Sequence, residues 1–143
     1  MNLDRVFEQL AQSDNPNVKI INYYEDSPSM AIGMFNKIII NHLNFNEKVR
    51  VFFEGQEMDF NPDDLKSASE FVIFHRAWFY LSNLQLGRKR DEEALSISAN
   101  DDFKLTLNLA IKFFESIEDY EKCAFVLRVL EKIELLMAED VPS

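Results

Sequence analysis

Apolar residues recur at helical spacing along most of this chain, most plainly over residues 101–137. Phe103, Leu107, Ala110, Ile111, Phe114 and Ile117 make one stripe, and Tyr120, Cys123, Ala124, Leu127, Leu130 and Ile133 a second. Steps of three and four place each set on one side of a helix, so two amphipathic helices folded back on each other are predicted. A shorter stripe, Leu3, Val6, Phe7 and Leu10, predicts an N-terminal helix over 2–12, closed by Ser13-Asp14-Asn15-Pro16-Asn17. Ser27-Pro28 supplies a capping hydroxyl and then proline at the first helical position. It opens a predicted helix over 28–43 carrying Met30, Met34, Phe35, Ile38, Ile39 and Leu43.

Two segments leave helix and strand open. Val18–Tyr24 is rich in β-branched and aromatic residues and fits either a strand or an extended apolar connector. Within 44–60, Val49, Phe52 and Phe53 fit a short helix, the preferred reading. Val49-Arg50-Val51 before Glu54-Gly55-Gln56 also fits a hairpin arm, an extended or β segment near 48–54. Asn61-Pro62-Asp63-Asp64 is the strongest start signal, because a capping Asn, a proline and two carboxylates all suit a helix N-terminus. The helix predicted over 62–85 is apolar nearly all round between Phe71 and Leu81, as a central helix surrounded by others would be. Leu86-Gly87 closes it. Arg88–Glu93 reads as a solvated connector, Ala94–Ala99 as a short run, Asn100 as the next cap and Ala138–Ser143 as a fraying tail. The expectation is an all-α fold over residues 1–143, a single domain and a compact bundle of about five helices.

Composition supports helix: 47% of the 143 residues are hydrophobic and 13% aromatic, with 3 Gly and 4 Pro. Abundant Phe, Ile, Asn and Tyr also fit an AT-rich genome such as that of many phages. The net charge of −10, from 25 acidic and 15 basic residues, argues against direct nucleic-acid binding and for a partner with a basic surface. Such acidity also serves solubility alone. Cys123 is the single cysteine and lies in an apolar stripe, which predicts a buried thiol in a reducing, cytoplasmic setting. Asp4 and Glu8 interrupt the first residues, which do not read as a signal peptide. The apolar stretches 29–43 and 70–84 fall short of the roughly 20 residues of a membrane span.

Asn108–Leu135 resembles one tetratricopeptide-type helical hairpin, through Leu109-Ala110, the pair Phe113-Phe114, and Asp119-Tyr120-Glu121-Lys122 leading into Ala124. It needs a one-residue shift at the turn, has Glu118 where the usual glycine stands, and has no second copy upstream, although a solenoid needs about three repeats. The same residues resemble the short helical hairpin of nucleotide-excision-repair proteins. Either resemblance, covering about a fifth of the chain, implies protein–protein contact.

Chemistry is hard to find. Gly33, Gly55 and Gly87 are too scattered for a phosphate loop. His42 and His75 each lack a second ligand at i+3 or i+4, and Cys123 lacks an adjacent base. Pro62-Asp63-Asp64-Leu65-Lys66 is explained by a helix start, not by a nuclease site. No catalytic, cofactor-binding or metal residue is therefore assigned, and no cofactor. The predicted function is a non-enzymatic adaptor, assembly factor or regulatory subunit. The alternatives are an inhibitor mimicking nucleic-acid charge and a structural homo-oligomer such as a virion component. Partner-binding residues are expected at the acidic turn, Glu115, Glu118, Asp119 and Glu121, and at Arg88, Lys89 and Arg90.

Overall fold

The structure is a computed structural model and describes residues 27–54 and 62–139. The expectations for 2–12 and 18–24, and for 55–61, lie outside the described residues. Five helices and no strand are present among those described: α1 (Pro28–Phe53), α2 (Pro62–Leu81), α3 (Lys89–Ser98), α4 (Asp101–Ser116) and α5 (Tyr120–Glu139). The fold is an all-α bundle, as the sequence implied. α1 and α2 pack as an antiparallel pair, α4 and α5 as a hairpin, and α3 lies against α1 and α5.

α1 overturns the expected stop at residue 43 and the alternative β segment near 48–54, while Val49, Phe52 and Phe53 are helical as preferred, in one helix that continues unbroken to Phe53. No Gly or Pro falls between residues 44 and 53, and side-chain pairs support this second half. Asn46 Nδ2 lies 2.9 Å from His42 Nε2, and Arg50 donates to Glu47 at 2.8 Å. Contacts three and four apart favour helix and outweigh the weak strand preference of Val49 and Val51. Ser27 stands at the N-cap, but its hydroxyl makes no capping bond. α2 ends at Leu81 rather than 85. Ser82 Oγ and Asn83 Nδ2 both donate to the Phe79 carbonyl, and Asn83 and Leu84 shift to i→i−3 backbone bonds, which tightens and closes the last turn.

One core draws on every helix: Ile32, Phe35 and Ile39 of α1, Phe74, Ala77 and Leu81 of α2, Leu95 of α3, Phe103, Leu107 and Phe114 of α4, and Val126, Val129 and Ile133 of α5. Aromatic rings join its layers. Phe35 meets Phe103 edge-on with centroids 6.1 Å apart, and Phe74 stacks on Phe113 at 4.8 Å. The buried Thr106 hydroxyl is satisfied by Asn36 Oδ1 and the Phe103 carbonyl. α5 buries Cys123, Leu130 and Ile133 of the expected stripe and adds Val126 and Val129, whereas the expected Tyr120, Ala124 and Leu127 are exposed. Nor is α2 surrounded. It buries Phe74, Ala77 and Leu81, while Phe71, Val72 and Phe79 remain exposed.

Candidate functional site

The basic triplet does not form a solvated connector. Arg88 is the N-cap of α3, and Lys89 and Arg90 begin the helix. The cause is Asp91, whose side chain is fully buried. Its carboxylate accepts from the Gln85 amide at 2.7 Å and from Arg88 Nε and Nη2 at 2.8 and 2.9 Å. Burial alone would raise the Asp91 pKa; the Arg88 and Gln85 bonds and the charges of Arg88 and Arg90 outweigh it and hold the carboxyl below its ordinary range. Glu92 accepts from the Gly87 amide at 3.0 Å and pairs with Lys132 of α5 at 2.9 Å. These bonds tie the turn between α2 and α3 to the hairpin. Gly87 makes the bend with φ +100°.

The acidic turn is ordered by its own backbone. α4 closes with Glu118 N–H donating to the Glu115 carbonyl and Asp119 N–H to that of Phe114, a Schellman pair with Glu118 in the left-handed region at φ +59°. Asp119 then caps α5 through the Lys122 amide and pairs with the Lys122 ammonium, which sits 5.8 Å from the Trp78 ring centroid. Lys122 holds the Asp119 carboxyl below its usual range. Asp119 and Arg88 are therefore engaged in structure, whereas Glu115, Glu118, Glu121 and Lys89 are exposed. The two expected patches do not converge. Lys132, the anchor of the α3 start, lies about 20 Å along α5 from Asp119 at a rise of 1.5 Å per residue.

An open feature that the sequence reading missed is a groove between α1 and α2, of about 340 Å³, lined by Ile38, Asn41, His42, Phe45, Ser69, Ile73 and Arg76. Phe45 is 54% exposed and Val72, one turn from both Ser69 and Arg76, is 59% exposed. Helical spacing continues the face to Phe52, seven residues beyond Phe45 and also exposed. The signal was in the sequence: α2 has more apolar surface than α1 and α4 cover. His42 forms the polar floor, its ring edge-on to Phe74 at 6.4 Å and bonded to Asn46. Burial pushes its pKa down, with Glu70 opposing and Lys66 adding to the shift.

Charge is segregated. Over 101–139 nine carboxylates face five basic groups, whereas α1 and α2 together carry four acidic and five basic residues. His75 Nδ1 lies 2.7 Å from the Phe71 carbonyl, and its ring packs edge-on to Phe113 and Phe114. Cys123 lies buried 3.6 Å from the Ile111 carbonyl, and burial raises its pKa away from the reactive thiolate. Among the described residues no cluster of His, Cys, Asp and Glu could hold a metal ion, and no helix is long and apolar enough to cross a membrane. Comparison with protein-family models, with curated proteins and with solved structures gave no match to this chain.

Proposed function

We propose that this protein is a non-enzymatic interaction module, an adaptor or regulatory subunit, that holds an apolar helical segment of a partner protein in the α1–α2 groove. The observation that carries the reading is the exposed apolar face formed by Phe45, Val72 and the groove residues Ile38 and Ile73. A helix presenting side chains three and four apart would fit between the two helices, with Arg76 at the rim available to a carboxylate. The excess acid on the α4–α5 hairpin would steer a partner with a basic surface, affecting association rate more than residence time. The hairpin's likeness to tetratricopeptide and excision-repair hairpins and the lone buried cysteine support protein contact in the cytoplasm.

Val72→Glu places a charge on the apolar face without touching the core. It is expected to leave the melting temperature within about 2 °C, as surface substitutions do, and to abolish stoichiometric capture of the partner retained by the unmodified protein. Equal capture by the variant would overturn the groove assignment. Capture by the unmodified protein of only its own copies would favour the homo-oligomer.

A further inference from the structure

The outer face of α5 carries an apolar stripe that stays exposed in the fold. Tyr120, Ala124, Leu127, Leu135 and Ala138 recur at helical spacing along it, with Tyr120 65%, Leu127 44% and Leu135 55% exposed. The opposite face packs into the core through Cys123, Val126, Leu130 and Ile133, so the stripe points away from it. Arg128 and Glu131 are exposed on this same outer face. They stand three residues apart, the separation at which Arg88 pairs with Asp91 and Lys122 with Asp119. Among the described residues, however, no ion pair joins them, and Arg128 lies over the Phe125 ring at 5.8 Å.

The order of these residues is self-complementary in a second copy laid antiparallel. A two-fold axis between Val129 and Leu130 pairs positions equally far on either side of it. Arg128 then meets Glu131 and Ala124 meets Leu135, small against large, and each contact is made twice. Tyr120 falls beside Ala138 at each end, and Leu127 of both copies fills the middle. An in-register parallel pairing would set Arg128 on Arg128 and Glu131 on Glu131, so like charges select the antiparallel form. The net charge of −10 opposes association. At about 0.15 M salt, screening sets in over about 8 Å, so distant carboxylates repel weakly while the contacting pairs keep their attraction. We propose that α5 pairs with α5 of a second copy in this register. The dimer is weak, because one helix face about 30 Å long falls below a standard interface. It uses no residue of the α1–α2 groove, and the proposal is independent of that reading.

The test is sedimentation equilibrium of the full chain over a concentration series at about 0.15 M salt. A monomer–dimer equilibrium with a Kd below about 100 µM is expected, and weaker or absent self-association would overturn the proposal. Arg128→Glu and Glu131→Arg should each raise the Kd at least about tenfold, because each turns two attractions into two repulsions. The double variant exchanges the signs of both pairs and should return to within about threefold of the natural protein. An equimolar mixture of the two single variants should dimerise more tightly than either alone. Both side chains are exposed, so melting temperatures should hold within about 2 °C. Dimerisation unchanged in both single variants would overturn the interface, and loss in the single variants without recovery in the double would overturn the antiparallel register.

Discussion

Asp91 governs the turn between α2 and α3, because one buried carboxylate satisfies the Gln85 amide and two Arg88 donors together. Asp91→Ala is expected to cost about 2 kcal/mol, the scale of leaving such donors without their charged acceptor, and chemical denaturation measures it. With its folded pKa lowered, the contribution is fully present above the unfolded value of about 4 and is lost as pH falls below it. His42 acts at a higher pH and through the opposite chemistry. Burial lowers its folded pKa, so the unfolded chain binds the proton more readily and stability declines as pH falls through about 6.5. Melting curves between pH 7.5 and 5.5 should show this decline in the natural protein and a flatter profile in His42→Gln. Identical profiles would mean that His42 titrates as freely in the folded protein as in the unfolded chain.

At the scale of the elements, two helix positions carry opposite backbone penalties. Gly33 lies inside α1 with open space where a Cβ would stand, so Gly33→Ala should stabilise by about 1 kcal/mol. Glu118 closes α4 in the left-handed region, and Glu118→Gly should also stabilise, by about 1 kcal/mol or somewhat less. Gly87→Ala should instead destabilise by about 1 kcal/mol from backbone strain alone, since its φ is +100° and nothing crowds it. Urea denaturation of the three variants checks the signs. These elements also show where the sequence was legible. Pro28, Pro62 and Asn100 mark helix starts that the structure reproduces, with Asn100 Oδ1 accepting from Phe103 N–H at 2.8 Å. The continuation of α1 was hidden because Val49 and Val51 favour strand locally while their neighbours stabilise helix through i,i+3 and i,i+4 pairs. α3 was hidden because Asp91, a residue usually exposed, is the group that anchors its start.

For the whole molecule, the all-α bundle could be read from periodicity, but which apolar residues stay outside could not. Spacing in α5 placed Cys123, Leu130 and Ile133 inward as found, but it admits either Tyr120, Ala124 and Leu127 or Val126 and Val129 beside them. Only packing against α4 selects the second set. Likewise the apolar girth of α2 suggested encirclement, whereas α1 and α4 cover part of it and leave Val72 and Phe79 to solvent. That uncovered surface is the basis of the proposed groove. The acidic residues expected to bind a partner divide accordingly. Reversing charge at Glu115, Glu118 and Glu121 should leave stability within about 0.5 kcal/mol, whereas reversal at Asp119 should also destabilise by removing the α5 cap.

The most direct test of the groove is site-specific photo-crosslinking in cells that make the protein naturally, with benzoylphenylalanine at position 72 and, separately, at position 131 on the exposed face of α5. The account predicts a single adduct with one partner protein from position 72 and none with that protein from position 131. The same adducts from both positions, or from position 72 adducts only with a second copy of the chain or none at all, would contradict it.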